Sequence, residues 1–387
     1  MKVMFYVQHL LGIGHLVRAS RIASALLEAG HEVFMVSGGL PVAGFPPAGV
    51  ALEQLSPLRS ADSSFSTLAD EHGMPVDEAM RGKRRQQLMA AYDRISPDCL
   101  IIEAFPFARR QMRFELLPLL EHVHRRQAPR RAMVVSSVRD IVQPKSRERD
   151  KATAELVGKY FDLVLVHGDE RFAGFSDTFS EAGAIADRLA YTGIVAPAAP
   201  AADDGCSRQF DAVVSAGGGA VGAALLDAAV GARPLTRLAD GRWLVVTGPN
   251  LPDDAFARLR AAQSPGLTLT RFEPGLAGLI GSARLSVSQA GYNTVADMLS
   301  GSAAGVLVPF EGAGEREQLV RAQRLAALGR VSVVRECELD APGLAAAIET
   351  ALDLAHPDDL PVDLNGARNS ALLVEERLAS FLAGQAF

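Results

Sequence analysis

Cysteine is scarce. Cys99, Cys206 and Cys337 are the only three in the 387-residue chain, and no two form a Cys-x-x-Cys pair. That excludes a disulfide framework and a zinc ribbon, and it fits a reducing compartment, so the cytoplasm is the expected location. Long apolar runs are also missing, since none reaches the ~18 residues of a membrane span. The apolar start MKVMFYVQHLLGIGHLVRAS breaks at Gly12 and His15 and lacks a small-residue cleavage site. It reads as a first strand rather than a signal peptide. Ligand signatures are missing from the expected places as well. The first strand-to-helix loop is not Gly-x-Gly-x-x-Gly, because Arg18 stands near the expected third glycine, no Gly-Lys-Ser/Thr closes a phosphate loop, and no Asp-x-Asp stands at a strand end to hold a metal. Nicotinamide binding and P-loop ATP hydrolysis are thereby disfavoured, and no metal or other cofactor is expected.

What is present is a full core. Apolar residues make up 48% of the chain and charged residues 22%, which excludes disorder for its bulk. At roughly 150 residues per domain, two domains are expected. The segment Ala196–Asp204 (APAAPAADD) reads as a linker between them. The expected division is 1–195, a linker at 196–208, a second domain at 209–369 and a final helix at 370–387 that packs back on the first domain. The chain carries a net charge of −6, but unevenly: +1 over residues 1–195 and −7 over 196–387. Within the first half, residues 81–131 reach +7. A nucleic-acid domain usually shows a basic balance overall, so no nucleic-acid partner is expected. The local excess, including Lys83–Arg85 and the four Arg of His124–Arg131, suits an anionic acceptor or a membrane surface, or simply a solvated helix face.

Short β-branched runs alternate with helical periodicity. Lys2–Gln8, a helix at Leu16–Ala29 and His31–Ser37 form a βαβ unit and predict a parallel sheet. A basic helix at 76–95, strands at Asp98–Ala104, Ala132–Ser136 and Phe161–His167, and a helix at Lys145–Tyr160 complete the first half. The second repeats the plan. Strands are predicted at Phe210–Ser215, Arg242–Thr247, Leu267–Phe272, Arg284–Ser288 and Ala304–Pro309, and helices at Gly222–Val230, from Thr294, and at Gln318–Leu328.

Four strand-end segments carry chemistry. Gly12-Ile13-Gly14-His15 places glycines and a histidine at the start of a helix, where an anion or a hydroxyl can approach. His15 there is a candidate general base, or else a capping residue. The glycines of Ala216–Gly222, with Gly218 and Gly219 foremost, make an anion nest or a close helix–strand packing. Gln289-Ala290-Gly291-Tyr292-Asn293-Thr294 turns a strand into a helix whose N–H groups face an anion, and Asp297 one turn on can accept from ribose or complement the helix dipole. Pro309–Gln318 offers Glu317 and Gln318 to sugar hydroxyls. Phe272 and Glu273 follow a strand and can frame a base. Glu103 and Asp140 are candidates to orient His15, with Gly12, Arg18 and Arg139 beside them.

In this order, these segments resemble the GT-B glycosyltransferases, closest to the cell-wall N-acetylglucosaminyl transferase type of family 28. The family's Gly-rich loop ending in Gly-His is matched by Gly12–His15. Its Ser-Gly-x-x-Thr turn with an acid three residues on is matched by Ala290–Thr294 and Asp297. Its Pro-Phe…Gln-Gln-x-x-Asn-Ala segment is matched by Pro309-Phe310…Glu317-Gln318-Leu319-Val320-Arg321-Ala322. Glu317 stands for a glutamine and Arg321 for an asparagine, so the sugar need not be N-acetylglucosamine. The N-terminal likeness stops near residue 37.

The resemblance implies an α/β GT-B fold, with two Rossmann-like domains of parallel sheets facing across a cleft and the acceptor side in the N-terminal one. It implies a nucleoside-diphosphate sugar as donor, with UDP the first choice because the family reads uracil at the Phe272–Glu273 position. It further implies metal-independent, inverting transfer to an acceptor hydroxyl, with His15 as base. The acceptor would be anionic or membrane-borne, which would place the protein peripherally at the inner membrane face. A nucleotide-sugar hydrolase shares Gly-x-Gly-His-x-x-Arg, here Gly12 to Arg18. An epimerase shares the fold, and a nucleotide-binding regulatory module would bind without turnover.

Overall fold

The computed structural model describes the chain apart from residues 11, 61–66, 127–130, 198–208, 219–221, 313–315, 355–361 and 386–387. Two units result: Met1–Val195 with Asn365–Phe387, and Ala196–Leu364.

The first unit opens with β1 (Lys2–Val7), α1 (Gly14–Glu28), β2 (Glu32–Ser37) and β3 (Ala51–Gln54), then a small hairpin of β4 (Arg59–Ser60) and β5 (Leu68–Ala69). It continues through α2 (Glu78–Ile95), β6 (Cys99–Glu103), α3 (Arg113–Arg125), β7 (Met133–Arg139), α4 (Arg147–Tyr160), β8 (Leu163–His167) and β9 (Leu189–Tyr191). The sheet order is β3-β2-β1-β6-β7-β8-β9, with every pair parallel. The second unit runs β10 (Ala212–Ser215), α5 (Ala223–Ala232), β11 (Trp243–Val246), α6 (Asp253–Ala261), β12 (Leu267–Thr270), α7 (Leu276–Ser282), β13 (Leu285–Ser288) and α8 (Tyr292–Leu299). It closes with β14 (Ala304–Leu307), α9 (Glu317–Ala327), β15 (Val331–Val333) and α10 (Ala341–Asp353). Its sheet order is β12-β11-β10-β13-β14-β15, again all parallel.

Helix α11 (Gly366–Gln385) then rejoins the first unit. The sequence places the boundary at 369/370; the structure moves it to 364/365. The reason is local. Val195 and Asn365 form an antiparallel bridge, Gly366 N–H bonds Ile194 O at 3.0 Å, and Asn369 Nδ2 bonds Thr192 O at 2.8 Å. A Cβ on Gly366 would lie 2.4 Å from Gly193 O, so only glycine admits this approach. Of the expected linker, residues 198–208 fall outside the described part.

Buried strands explain the unbroken apolar runs: β6 and β8 are buried along their whole length, as strands covered on both faces must be. Helix α3 has no counterpart in the sequence reading, because Pro118 interrupts its apolar pattern. Helix α8 begins at Tyr292, two residues before the expected Thr294, and Tyr292 is buried as the helix starts. No helix among the described residues is long and apolar enough to cross a membrane.

One polar cluster lies inside the first unit, on the sheet face covered by α2 and α3. The Tyr6 hydroxyl donates to Glu115 Oε1 at 2.5 Å. Arg84 donates to both Glu115 oxygens, at 2.6 and 2.8 Å, and to Gly38 O, Ser56 O and Gln8 Oε1 at 2.6–3.0 Å. Arg84 thus ties together the loops after β1 and β2. Within the Lys83–Arg85 cluster this corrects the expectation for Arg84 alone, which faces inward rather than toward an anionic partner: the Arg84 and Glu115 side chains are both 0% exposed, while Lys83 is exposed. Burial, then the Glu115 charge, push the Tyr6 phenol well above its ordinary range, so it remains a donor.

Removing one partner of such a pair strands the other charge. Glu115→Ala is expected to cost about 3–5 kcal/mol of unfolding free energy, measured by denaturant titration. A loss below about 1 kcal/mol, the scale of an exposed pair, would contradict this account of the cluster.

Candidate functional site

In open parallel sheets, ligands bind beyond the C-terminal strand ends where the strand order reverses. Each unit has one such point. In the first it lies between β1 and β6, and in the second between β10 and β13.

At the first, β1 leads through Gly12 into α1, and β6 ends at Glu103. A Cβ on Gly12 would meet nothing within 4 Å. Gly14 and His15 open the helix. The His15 side chain is 18% exposed and its Nδ1 lies 2.9 Å from Glu103 Oε1. Arg18, one turn on and 2% exposed, donates to the same oxygen. Glu103 Oε2 accepts from Ser137 Oγ at 2.5 Å. Of the two acids proposed to orient His15, it is therefore Glu103 that bonds it. Asp140 is fully buried just after β7, packed so closely that a Cβ on Gly168 would lie 2.5 Å from its own, and its charge acts on His167.

Electrostatics fix the protonation states. Burial raises the Glu103 pKa, but the Arg18 charge and the His15 contacts outweigh it and bring the value to about 2. Burial first, then the Arg109 charge, lower His15 to about 3 against the pull of Glu103. At neutral pH the pair is carboxylate and neutral imidazole. An ionised carboxylate only accepts, so Nδ1 carries the proton and Nε2 presents a lone pair.

Arg109 escaped the sequence reading. It follows β6 in a left-handed conformation (φ 60°) and its Nε donates to Gln8 O at 3.0 Å. Burial and the nearby Arg139 charge lower its own pKa to about 10. Arg139 ends β7. Only the Ala-Arg-Arg run after an apolar strand could have signalled Arg109.

At the second point, Ser215 ends β10 and Gly217 turns left-handed (φ +60°). A Cβ on Gly218 would meet only Asn250 Nδ2, at 4.0 Å, so this backbone lies open. Gly222 instead serves packing, since a Cβ there would lie 2.3 Å from the Ala216 Cβ. Gly219 lies outside the described residues. Gln289 N–H bonds Ser215 O at 3.3 Å, which brings the two loops together. Gly291 caps α8 in extended conformation, and a Cβ there would meet nothing within 4 Å. The first intrahelical bond is Val295 N–H to Gly291 O, so the N–H groups of Tyr292, Asn293 and Thr294 have no carbonyl of their own helix. Gln289, Ala290 and Asp297 are buried.

Glu317 and Gln318 are committed within the unit. Glu317 Oε1 accepts from Arg321 at 2.9 Å, with both side chains at most 5% exposed. Arg321 also donates to Ala290 O at 3.0 Å and lies 5.6 Å from the centre of the Tyr292 ring. Gln318 Oε1 accepts from Phe310 N–H at 3.1 Å. The two departures from the family pattern thus form a mutual ion pair that buttresses the 290–292 turn. Phe272 is 58% exposed after the edge strand β12, two strands from β10, and Glu273 accepts from the N–H of Gly275 in its own turn at 3.3 Å.

The basic segment shrinks on inspection. Arg126 pairs with Asp93 and Arg131 with Asp162, while Arg130 lies outside the described residues. Cations also collect on the loops after β6 and β7. There, burial and then Arg110, Arg149 and Arg113 lower the Lys145 ammonium against the pull of Asp150.

Comparison with known proteins agrees with this geometry. Residues 213–358 match the family model of the glycosyltransferase family 28 C-terminal domain. Two relatives are each named UDP-N-acetylglucosamine--N-acetylmuramyl-(pentapeptide) pyrophosphoryl-undecaprenol N-acetylglucosamine transferase. That of Synechococcus sp. (strain CC9605) is 31% identical over 163 residues, 41% of this chain and 44% of that protein. That of Rhizobium meliloti (strain 1021) is 32% identical over 190 residues, 48% of this chain and 49% of that protein. The matched region thus spans about half the length of these curated relatives. Among solved structures, CalG4, the calicheamicin glycosyltransferase, aligns with TM-score 0.58 at 16% identity, covering 98% of this chain and 94% of that one. MurG of Acinetobacter baumannii aligns with TM-score 0.56 at 14% identity, covering 97% and 99%. The chain therefore has the GT-B fold of two Rossmann-like α/β domains. Within that class, the second unit carries the match to the family 28 C-terminal domain, over residues 213–358.

The Arg109 charge predicts a titration. Arg109→Gln is expected to raise the His15 pKa from about 3 toward, but short of, the ordinary value, because burial, the larger cause, remains. Imidazole NMR reads it directly, and an unmoved His15 would exclude the Arg109 field as a cause.

Proposed function

We propose that this protein is a glycosyltransferase that moves a hexose or N-acetylhexosamine from a nucleoside-diphosphate sugar, UDP first, to an acceptor hydroxyl. The observation that carries the reading is the pair of backbone turns at the second unit's switch point, Gly217–Gly218 and Gly291–Thr294, inside a family 28 domain. Open glycine backbone and the N–H groups of a helix N-terminus favour a diphosphate without requiring a cation. The relatives' names, which specify a UDP-sugar and a lipid pyrophosphate, support both the donor and an anionic, membrane-borne acceptor.

In this reaction the acceptor oxygen bonds the anomeric carbon as the bond to the diphosphate breaks, and the stereocentre inverts. The acceptor proton passes to His15 Nε2, whose partner nitrogen is held by Glu103. The charge left on the diphosphate is offset by the backbone donors of the second unit. Neutral His15 is available as a base throughout the physiological range. An anionic acceptor near Arg109 would offset the guanidinium's push on His15 and strengthen that base as substrate binds.

Two outcomes test this division of labour. His15→Ala is expected to lower turnover by ~10²–10⁴-fold with donor affinity nearly unchanged, read by steady-state kinetics beside calorimetry. Wild-type turnover would remove His15 as the base. Gly291→Val has room for its side chain in the unliganded protein, so the fold should survive while nucleotide-sugar binding weakens. Undiminished affinity would take this turn out of the donor site. Rapid UDP release without any acceptor would favour the hydrolase that shares Gly-x-Gly-His-x-x-Arg.

A further inference from the structure

The carboxylate that orients His15 is itself held by a chain of buried groups no motif contains. Strand register builds it. Glu103 of β6 is paired with Ser137 of β7, and Arg139 of β7 with His167 of β8. Paired residues, and residues two apart, share one face of a parallel sheet. Glu103, Ser137 and His167 therefore line up across three strand ends. Ser137 Oγ lies 2.5 Å from Glu103 Oε2 and 2.8 Å from His167 Nε2, and His167 Nδ1 lies 3.0 Å from Thr192 Oγ1. Ser137 and His167 are 0% exposed and Thr192 is 1% exposed.

The direction of each bond follows from the acceptor at one end. Ionised Glu103 can only accept, so Ser137 gives it its single hydroxyl proton. Ser137 must then accept from His167, which puts the proton of that ring on Nε2. The Ser137 and His167 dipoles both point their positive ends at Glu103, while the Thr192 hydroxyl also faces Gly193 O at 2.8 Å. The row does not carry a proton away from the site; it fixes which oxygen faces which partner. With Oε2 taken by Ser137, only Oε1 remains for Arg18 and His15.

We propose that Ser137 and His167 are positioning residues for transfer, locking the Glu103 carboxylate so that His15 is held in the tautomer with Nε2 bare. Without them, Glu103 is free to turn both oxygens to Arg18, and the bond to His15 Nδ1 slackens. The proposal rests on reading His15 as the base for its kinetic consequence, but not for its structural one.

The experiment compares Ser137→Ala, His167→Leu and His167→Gln, whose amide can replace the Nε2–H donor. Each is first checked for donor binding and melting temperature. Nitrogen NMR of His15 is expected to show a single Nδ1–H tautomer in the native protein and a mixture in Ser137→Ala and His167→Leu. In the same two variants kcat should fall roughly 10- to 100-fold, the scale of a lost buried charge-assisted bond, with donor KM unchanged. His167→Gln should recover much of both losses relative to His167→Leu. An unchanged His15 tautomer in folded Ser137→Ala overturns the proposal. So does a loss confined to melting temperature, with both kcat and tautomer native. A shifted tautomer with native kcat, joined to native turnover in His15→Ala, would keep the positioning chain and discard His15 as the base. Should His167→Leu fail to fold, the smaller Ser137→Ala still decides the matter.

Discussion

A carboxylate buried in the first unit constrains much of what surrounds it. Glu103 is 1% exposed, and an ionised group there costs several kcal/mol unless every lone pair is used. Its partners arrive from separate elements: His15 and Arg18 from one face of α1, and Ser137 from the neighbouring strand. Three-residue spacing on the helix puts His15 and Arg18 side by side. Register puts Ser137 opposite. A slip of one residue between β6 and β7 would turn Ser137 to the other face and leave the carboxylate short of a donor. The same contact that orients a candidate base thus also specifies the pairing of the sheet.

Two further buried acids, Glu115 and Glu317, follow this logic with different results. Glu115 and Arg84 bind loops on the opposite sheet face, and Arg84 spends its remaining donors on backbone carbonyls. Glu317 and Arg321 stand one helical turn apart, and Arg321 carries the pair to Ala290 O. In each case the planar guanidinium serves several acceptors at once, which a lysine could not do. All three pairs lie behind loops at strand C-termini. They hold backbone in place where the fold puts ligands, so the loops need no regular hydrogen bonding of their own.

The parallel sheets and the site-bearing turns were legible from sequence because they are local. Apolar runs of four to seven residues, a glycine turn and a helical stripe announce βαβ units, and strand ends follow within a residue or two, except that β7 runs three residues past the expected Ser136 to Arg139. His15, Glu103 and Arg18 were named from their places at strand and helix ends. What was illegible is pairwise and distant. Ser137 and His167 are 30 residues apart and look like ordinary strand residues until the register is known. Arg84 reads as one more cation on a basic helix, and only the fold shows Glu115 beneath it. Glu317 and Arg321 read as substitutions at ligand positions. Their spacing of four residues on a helix was the available signal that they answer each other rather than a sugar. The final helix was legible, but its start was not. Its boundary is set by Gly366 passing against Gly193 O, a contact between distant segments.

Net charge points away from the proposed ligand. The half of the chain assigned to a diphosphate is the acidic one, at −7 over residues 196–387. The contradiction disappears once the donors are seen to be backbone. At Gly217–Gly218 and at the start of α8, attraction comes from oriented N–H dipoles that do not enter a count of side-chain charges. Arg321, the cation tied to that turn, is neutralised by Glu317 and reaches Ala290 O, a carbonyl. The first unit is arranged the other way. Arg109 and Arg139 act as whole charges: that of Arg139 depresses Arg109, and that of Arg109 depresses the imidazole of His15. Dipoles fixed in a turn stay where the fold puts them and need no reorganisation as charge develops on a leaving group. Side-chain cations extend further and tune the basicity of a neighbour. The proposed transfer calls for both effects, on different groups, and the two sheets supply them by different means.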